Sequence, residues 1–222
     1  MIPAAMLALA DQRLPSGGHV HSGGVEQAVH LGLVTDAPSL AALLARRVRT
    51  TGLVTAGLAA AAWGLTSGGV TALDAEADAR MPSEPSRLAS RAQGRGLLRT
   101  VRAAWRAPHP DLAWSDLGPR PHHCLVLGAA ARAGGVDAAG AALVAAYLCV
   151  SGPATAAQRL LALDPVEVAA LTLALSEDIE EVATAAAAAL AGSSAELPIA
   201  GDPVQDLLAG LHEDRGERLF AS

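Results

Sequence analysis

The chain has 222 residues, and 16 basic against 22 acidic side chains leave a net charge of −6 with His neutral. That balance, with only 2% aromatic residues, argues against a general nucleic-acid binder, which needs cations for phosphates and aromatic faces for bases. Every basic residue is Arg and Lys is absent, which excludes a P-loop lysine, a Schiff base and a Ser-Lys dyad.

Residues 1–10 predict a short helix, ended by the Leu14-Pro15-Ser16-Gly17-Gly18 turn. A second helix is expected to start near Ser22 to Gly24, to carry Glu26 in its first turn and to stop by Gly32. Asp36 is placed to cap a third, with Leu40, Leu43, Leu44 and Val48 on its buried face, and Gly52 separates this from a run ending at Gly64. Ser83 can cap the helix after Met81 to Pro85. His122 to Ala133 reads as a helix closed by Gly134-Gly135, and Asp137 caps the next. Pro153 suits the first turn of another. The clearest start signal is Asp164-Pro165-Val166-Glu167, after which Val168, Leu171, Leu175, Ile179, Val182 and Leu190 form one helical stripe up to Gly192. Asp202-Pro203 repeats that signal. An all-α fold follows, a single domain over 1–222 with about nine or ten helices and short connections, consistent with a hydrophobic fraction of 51% dominated by Ala.

Cys124 and Cys149 lack metal or redox spacing and read as reduced core thiols. The N-terminus has no basic n-region, and the longest apolar stretches, Leu53 to Leu65 and Ala138 to Val150, fall short of the ~20 residues that span a bilayer. The expectation is a cytoplasmic protein with no membrane segment.

The densest polar cluster runs from Pro15 to Glu26. His19 and His21, at H-x-H spacing, with Glu26 as a third ligand, make a metal-dependent hydrolase one reading; a Gly-rich turn that caps a helix is the other. Arg87, Arg91, Arg95 and Arg99 are spaced by four, with Arg102 and Arg106 beyond, and no acidic residue occurs between Glu84 and Asp111. On a helix they form a basic ridge, open to an acidic partner or to nucleic acid, although Gly94 and Gly96 signal either close packing or a helix break. Adjacent His122 and His123 diverge by about 100° on a helix and chelate poorly with Cys124. Arg159, among apolar neighbours, calls for an ion-pair partner or a role in docking.

Asp11 to Glu26, D-Q-R-L-P-S-G-G-H-V-H-S-G-G-V-E, resembles the N-terminal signature of the urease accessory protein F (UreF) family, D-S-x-x-P-T/S-G-x-x-x-H-S-x-G-L/I-E. Ser90 to Leu98 is similar to that family's S-x-x-x-G-x-x-L-L segment, Thr155 to Leu160 to its A-A-x-R-L element, and His212 to Ser222 to its H-E-x-x-x-x-R-L-F-x-S ending. Gln12, His19 and Leu163-Asp164 depart from the pattern. The resemblance implies a non-catalytic homodimer without cofactor or metal of its own. It implies binding to urease accessory protein D (also called H), recruitment and regulation of the GTPase accessory protein G, and nickel delivery to apo-urease. The residues it marks for partner binding are His21, Ser22, Glu26, Arg159, Arg215, Arg218 and Phe220. Segments 1–22 and 213–222 are expected to be mobile until a partner binds.

Overall fold

The computed structural model describes residues 2–15, 21–189, 196–215 and 219–220. Eleven α-helices are found among them: α1 (Ala4–Ala10), α2 (Val25–His30), α3 (Ala37–Arg47), α4 (Leu53–Trp63), α5 (Val70–Ala79), α6 (Glu84–Ala104), α7 (His123–Ala133), α8 (Ala138–Leu161), α9 (Pro165–Ala174), α10 (Ser176–Ala188) and α11 (Pro203–Glu213). A π-helical turn, Val48–Gly52, joins α3 and α4 into one rod, so the helices form ten separate rods. No β-strand occurs among the described residues, only an isolated bridge between His109 and Leu112. The all-α fold is as the composition requires.

Side-chain acceptors at the N-cap satisfy orphan amides at five of the eleven helix starts. Asp36 accepts from the Ser39 amide and Ser39 returns the bond in a capping box, and Ser83, Asp137, Asp164 and Asp202 cap α6, α8, α9 and α11. The core is centred on α4, α7 and α8. Its interior is largely methyl: Ala56, Ala59, Ala60, Ala62, Ala129, Ala130, Ala131, Ala141, Ala142 and Ala146 are all buried. Small side chains let helix axes approach closely. α8 is long and apolar enough to cross a membrane by length and composition, which the apolar stretch to Val150 alone did not reach, and twelve of its residues are buried in the bundle.

Two local expectations are corrected. Pro153 does not begin a helix; it lies inside α8. A proline there removes the amide that would bond the Cys149 carbonyl, and the Arg47 Nε donates to that carbonyl instead, at 3.0 Å. The long stripe after Asp164 is two helices rather than one. The chain bends at Leu175, where Ser176 Oγ donates to the Leu173 carbonyl at 2.6 Å, and α10 turns onto α8 and α4 with Ile179, Val182, Ala183 and Ala186 inward. Leu190 and Gly192, the expected end of that stripe, lie outside the described residues. Of the two readings of Gly94 and Gly96, close packing is the one found: α6 runs unbroken through both, and a Cβ on Gly94 would sit 2.1 Å from the Pro121 carbonyl oxygen of the α7 approach.

Candidate functional site

The segment before α2 is built around two left-handed glycines. Gly23 (φ 61°) and Gly24 (φ 88°) reverse the chain, a conformation that other residues resist. Space demands glycine as well: a Cβ on Gly23 would lie 2.9 Å from Arg47 Nη2, and one on Gly24 2.5 Å from Gln205 Nε2. Those same two side chains hold the turn, since Arg47 Nη1 and Gln205 Nε2 both donate to the Gly23 carbonyl, at 2.8 and 2.9 Å. Ser22, fully buried, accepts the Glu26 amide at 3.3 Å and so caps α2. The turn thereby ties α2 to α3, α8 and α11.

Glu26 points from α2 toward the C-terminus. Only 5% exposed, its carboxylate accepts the backbone amides of Leu219 at 2.8 Å and Phe220 at 2.9 Å, one on each oxygen. Arg215 Nη1 lies 3.7 Å from one oxygen and His212 Nε2 lies 4.0 Å from the other. His212 Nε2 also donates to the Phe220 carbonyl at 3.3 Å, and its Nδ1 is buried with no hydrogen-bond partner among the described residues. Phe220 is buried while Leu219 is 70% exposed. The tail is therefore held by a charge-assisted clamp made from both ends of the chain.

His21, half-buried, lines a cavity of about 220 Å³ shared with Arg47, His123, Cys149, Gln205 and His212. Burial, with the nearby charge of His21 adding to it, pushes the His123 pKa down to about 4, so this ring is neutral at pH 7. Burial pushes the Cys124 thiol up to about 12, which keeps it protonated. Cys149 Sγ sits 3.2 Å from Thr55 Oγ1.

The remaining sequence candidates are dispersed. Arg159 lies exposed on α8 with no ion-pair partner among the described residues, so the buried pairing expected from its apolar neighbours is absent. Arg215 stands beside Glu26, whereas Arg218 and His19 lie outside the described residues. Of the expected His19-His21-Glu26 metal set, His19 lies outside the described residues, and the Glu26 oxygens face the tail amides.

One other cluster has metal-like composition: Asp74, Asp78 and His122, whose donor atoms lie within 4.8 Å of one another. Arg91 fills it, with Nη2 2.8 Å from both carboxylates. His122 is wholly buried; Ser90 donates to its Nδ1 at 3.0 Å, and its Nε2 donates to Asp78 at 2.9 Å. Burial depresses the His122 pKa. For Asp78, burial acts upward, but hydrogen bonds from His122 and Arg91 prevail and lower it. This is a complete internal ion-pair network. It also divides the basic ridge. Arg87 donates to the Met81 and Pro82 carbonyls and Arg91 is bound to the acids, while Arg95, Arg99, Arg102 and Arg106 are exposed and make no ion pair among the described residues.

Arg47, Gln205 and His212 are the residues of this site that sequence reasoning did not single out. Comparison with known proteins places the site in a wider setting. The sequence profile of UreF matches residues 34–176. The chain is 52% identical to the urease accessory protein UreF of Mycolicibacterium vanbaalenii over 221 residues, covering 99% of this chain and 98% of that one. It is 48% identical over 221 residues to the protein of the same description from Mycobacterium bovis BCG Pasteur, with the same two coverages. The relative from Mycobacterium sp. strain JLS is 51% identical over 217 residues, 98% of this chain and 97% of that one.

Proposed function

The chain belongs to the UreF family of urease accessory proteins, and from that premise we propose that it is a non-catalytic adaptor of the cytoplasm. It binds accessory protein D (or H), recruits and regulates the GTPase accessory protein G, and so delivers nickel to apo-urease. The observation that carries this reading is the Glu26 clamp: a buried carboxylate holds the tail by two backbone amides, which leaves Leu219 exposed at the surface. α11 adds an exposed apolar row, Val204, Leu207 and Leu211, at helical spacing. Tail and row together offer accessory protein D an apolar contact area with backbone groups at hand. His21, Ser22, Glu26, Arg215, Arg218 and Phe220 belong to this region in our reading, as elements that shape or present it, and Arg159 serves a separate contact on α8.

Homodimerisation has its own support. The open groove between α1, α8 and α9 leaves Leu7 67% and Leu173 73% exposed, and an Ala-rich bundle gains stability by burying more apolar surface against a second copy. With Lys absent, GTP hydrolysis falls to the partner. Calorimetric titration of purified D into the full chain, then of G into the product, tests the scheme. Sequential binding is expected, and failure of D to bind overturns it. In the cell, deletion of the gene should lower the nickel content of urease while apo-urease stays abundant.

A further inference from the structure

The outer face of α6 has no role in any contact described above. At about 100° per residue, Arg95, Arg99 and Arg102 fall within an arc of about 60°, and Leu88 lies in the same arc. Leu97 and Val101 on the far side, and Leu98 on the flank of the arc, enter the core. All three arginines are exposed and none has a carboxylate within ion-pair distance among the described residues. One turn upstream of Arg95, by contrast, Arg91 is bound to Asp74 and Asp78. Those two acids are already committed, and the unpaired guanidinium groups stand in a chain whose net charge is −6. Random scatter of surface charge places opposite signs side by side; here one sign is segregated along roughly 10 Å of helix, from the 1.5 Å rise per residue.

We propose that Arg95, Arg99 and Arg102 form a docking strip for a carboxylate-rich segment of a protein partner. Guanidinium forks take carboxylates in bidentate fashion, and Leu88 at the end of the strip supplies an apolar contact beside them. A duplex nucleic acid fits less well: three cations neutralise few phosphates, the rest of the surface is net acidic, and no exposed aromatic lies on this face for stacking. The placement of the partner within urease maturation rests on the adaptor reading above; the recognition of carboxylates does not.

The test uses the full chain in three forms: wild type, R95E/R99E/R102E and R95K/R99K/R102K. Because these side chains are exposed and unpaired, circular dichroism and melting temperature should be unchanged in all three. Binding to poly-L-glutamate and to a short DNA duplex is measured by fluorescence anisotropy at rising salt. The strip predicts poly-L-glutamate binding that weakens with salt, falls about tenfold or more in the charge-inverted form and persists in the Lys form. It also predicts that a strain carrying R95E/R99E/R102E activates urease poorly although the protein accumulates normally. Equal poly-L-glutamate affinity in wild type and inverted forms, tighter binding of DNA than of poly-L-glutamate, or normal urease activation by the inverted form each overturns the proposal. Normal nickel content of urease in the gene deletion is a different failure: it removes the adaptor reading, and poly-L-glutamate binding then decides the strip alone.

Discussion

Glu26 shows how one buried carboxylate can set the state of a terminus 193 residues away. A Gln at position 26 keeps one acceptor oxygen but turns an NH2 group toward the second amide, so one tail amide loses its partner and the charge assistance disappears. Hydrogen bonds to charged groups contribute about 1.5–3 kcal/mol, but the tail can undock and rehydrate, so the loss is local. Glu26→Gln should therefore abolish hydrogen-exchange protection at the Leu219 and Phe220 amides and leave that of α4, α7 and α8 intact. Retained protection at 219 and 220 would show that something else holds the tail. His123 offers a second residue-scale outcome. Its pKa near 4 in the folded chain lies below the usual unfolded value of about 6.5, so between those limits the unfolded state binds the extra proton. Stability is full above about pH 6.5 and is lost as pH falls toward 4. The depressed His122 acts in the same direction, and Asp78, also depressed, contributes only further down, below the ordinary carboxylate pKa. Urea denaturation of His123→Gln should show a shallower stability decline from pH 6.5 to 4.5 than the wild type, and parallel curves would refute the assignment.

At the scale of elements, what the sequence made legible was whatever local chemistry decides. The caps at Asp36, Ser83, Asp137, Asp164 and Asp202 are acceptors one to three residues from the amides they serve, and all are readable as printed residues. Pro153 and Leu175 were misread because long-range partners decide them. Nothing within α8 shows that Arg47, more than a hundred positions earlier, supplies the donor that Pro153 withholds from Cys149. Likewise the stripe through Leu175 keeps its period although the helix bends to bring α10 onto the core. The candidate site divides the same way: Ser22 and Glu26 are legible through the motif that contains them, whereas Arg47, Gln205 and His212 reach the same turn from distant segments. Arg47 carries a prediction at this level. Replacing it by Met keeps much of the stem packing but leaves the Cys149 and Gly23 carbonyls short of a donor, each costing about 1–3 kcal/mol if buried, while Gln205 still serves Gly23. Arg47→Met should lower stability by roughly 2 kcal/mol, and adding Pro153→Ala, which restores an amide near Cys149, should recover part of it. A double-mutant cycle with no coupling would sink the claim that Arg47 substitutes for the missing amide.

For the whole molecule, the ends of the chain meet on one side of the bundle: the Ser22 to Glu26 segment, α11 and the tail share hydrogen bonds across more than 180 positions. The Ala-dominated core is formed by α4, α7 and α8, and the terminal assembly rests on its surface through the contacts of α2 with α8. Such a division separates folding from presentation, because the core can persist while the terminal assembly changes partners. Removing residues 213–222 tests it. The deletion leaves the Glu26 carboxylate buried next to His212 but strips it of the Leu219 and Phe220 amides and of Arg215, so it must rehydrate. A local cost of about 2 kcal/mol is expected for a charged group losing its hydrogen bonds. At this chain length that corresponds to a melting temperature lower by roughly 4–8 °C. Far-UV circular dichroism should retain the helical signal less the deleted residues, since α11 is still fixed by Asp202 and Gln205. Affinity for accessory protein D, measured by calorimetry on the folded truncation, should fall much more than stability does. The Glu26→Gln form, which frees the tail without deleting it, should bind D more weakly than the wild type, because the tail is no longer held in the arrangement that presents Leu219 beside the α11 row. A truncation that binds D with unchanged affinity excludes the tail from the interface, and a Glu26→Gln form that binds D as well as the wild type shows that the free tail, rather than the clamped arrangement, is what D recognises.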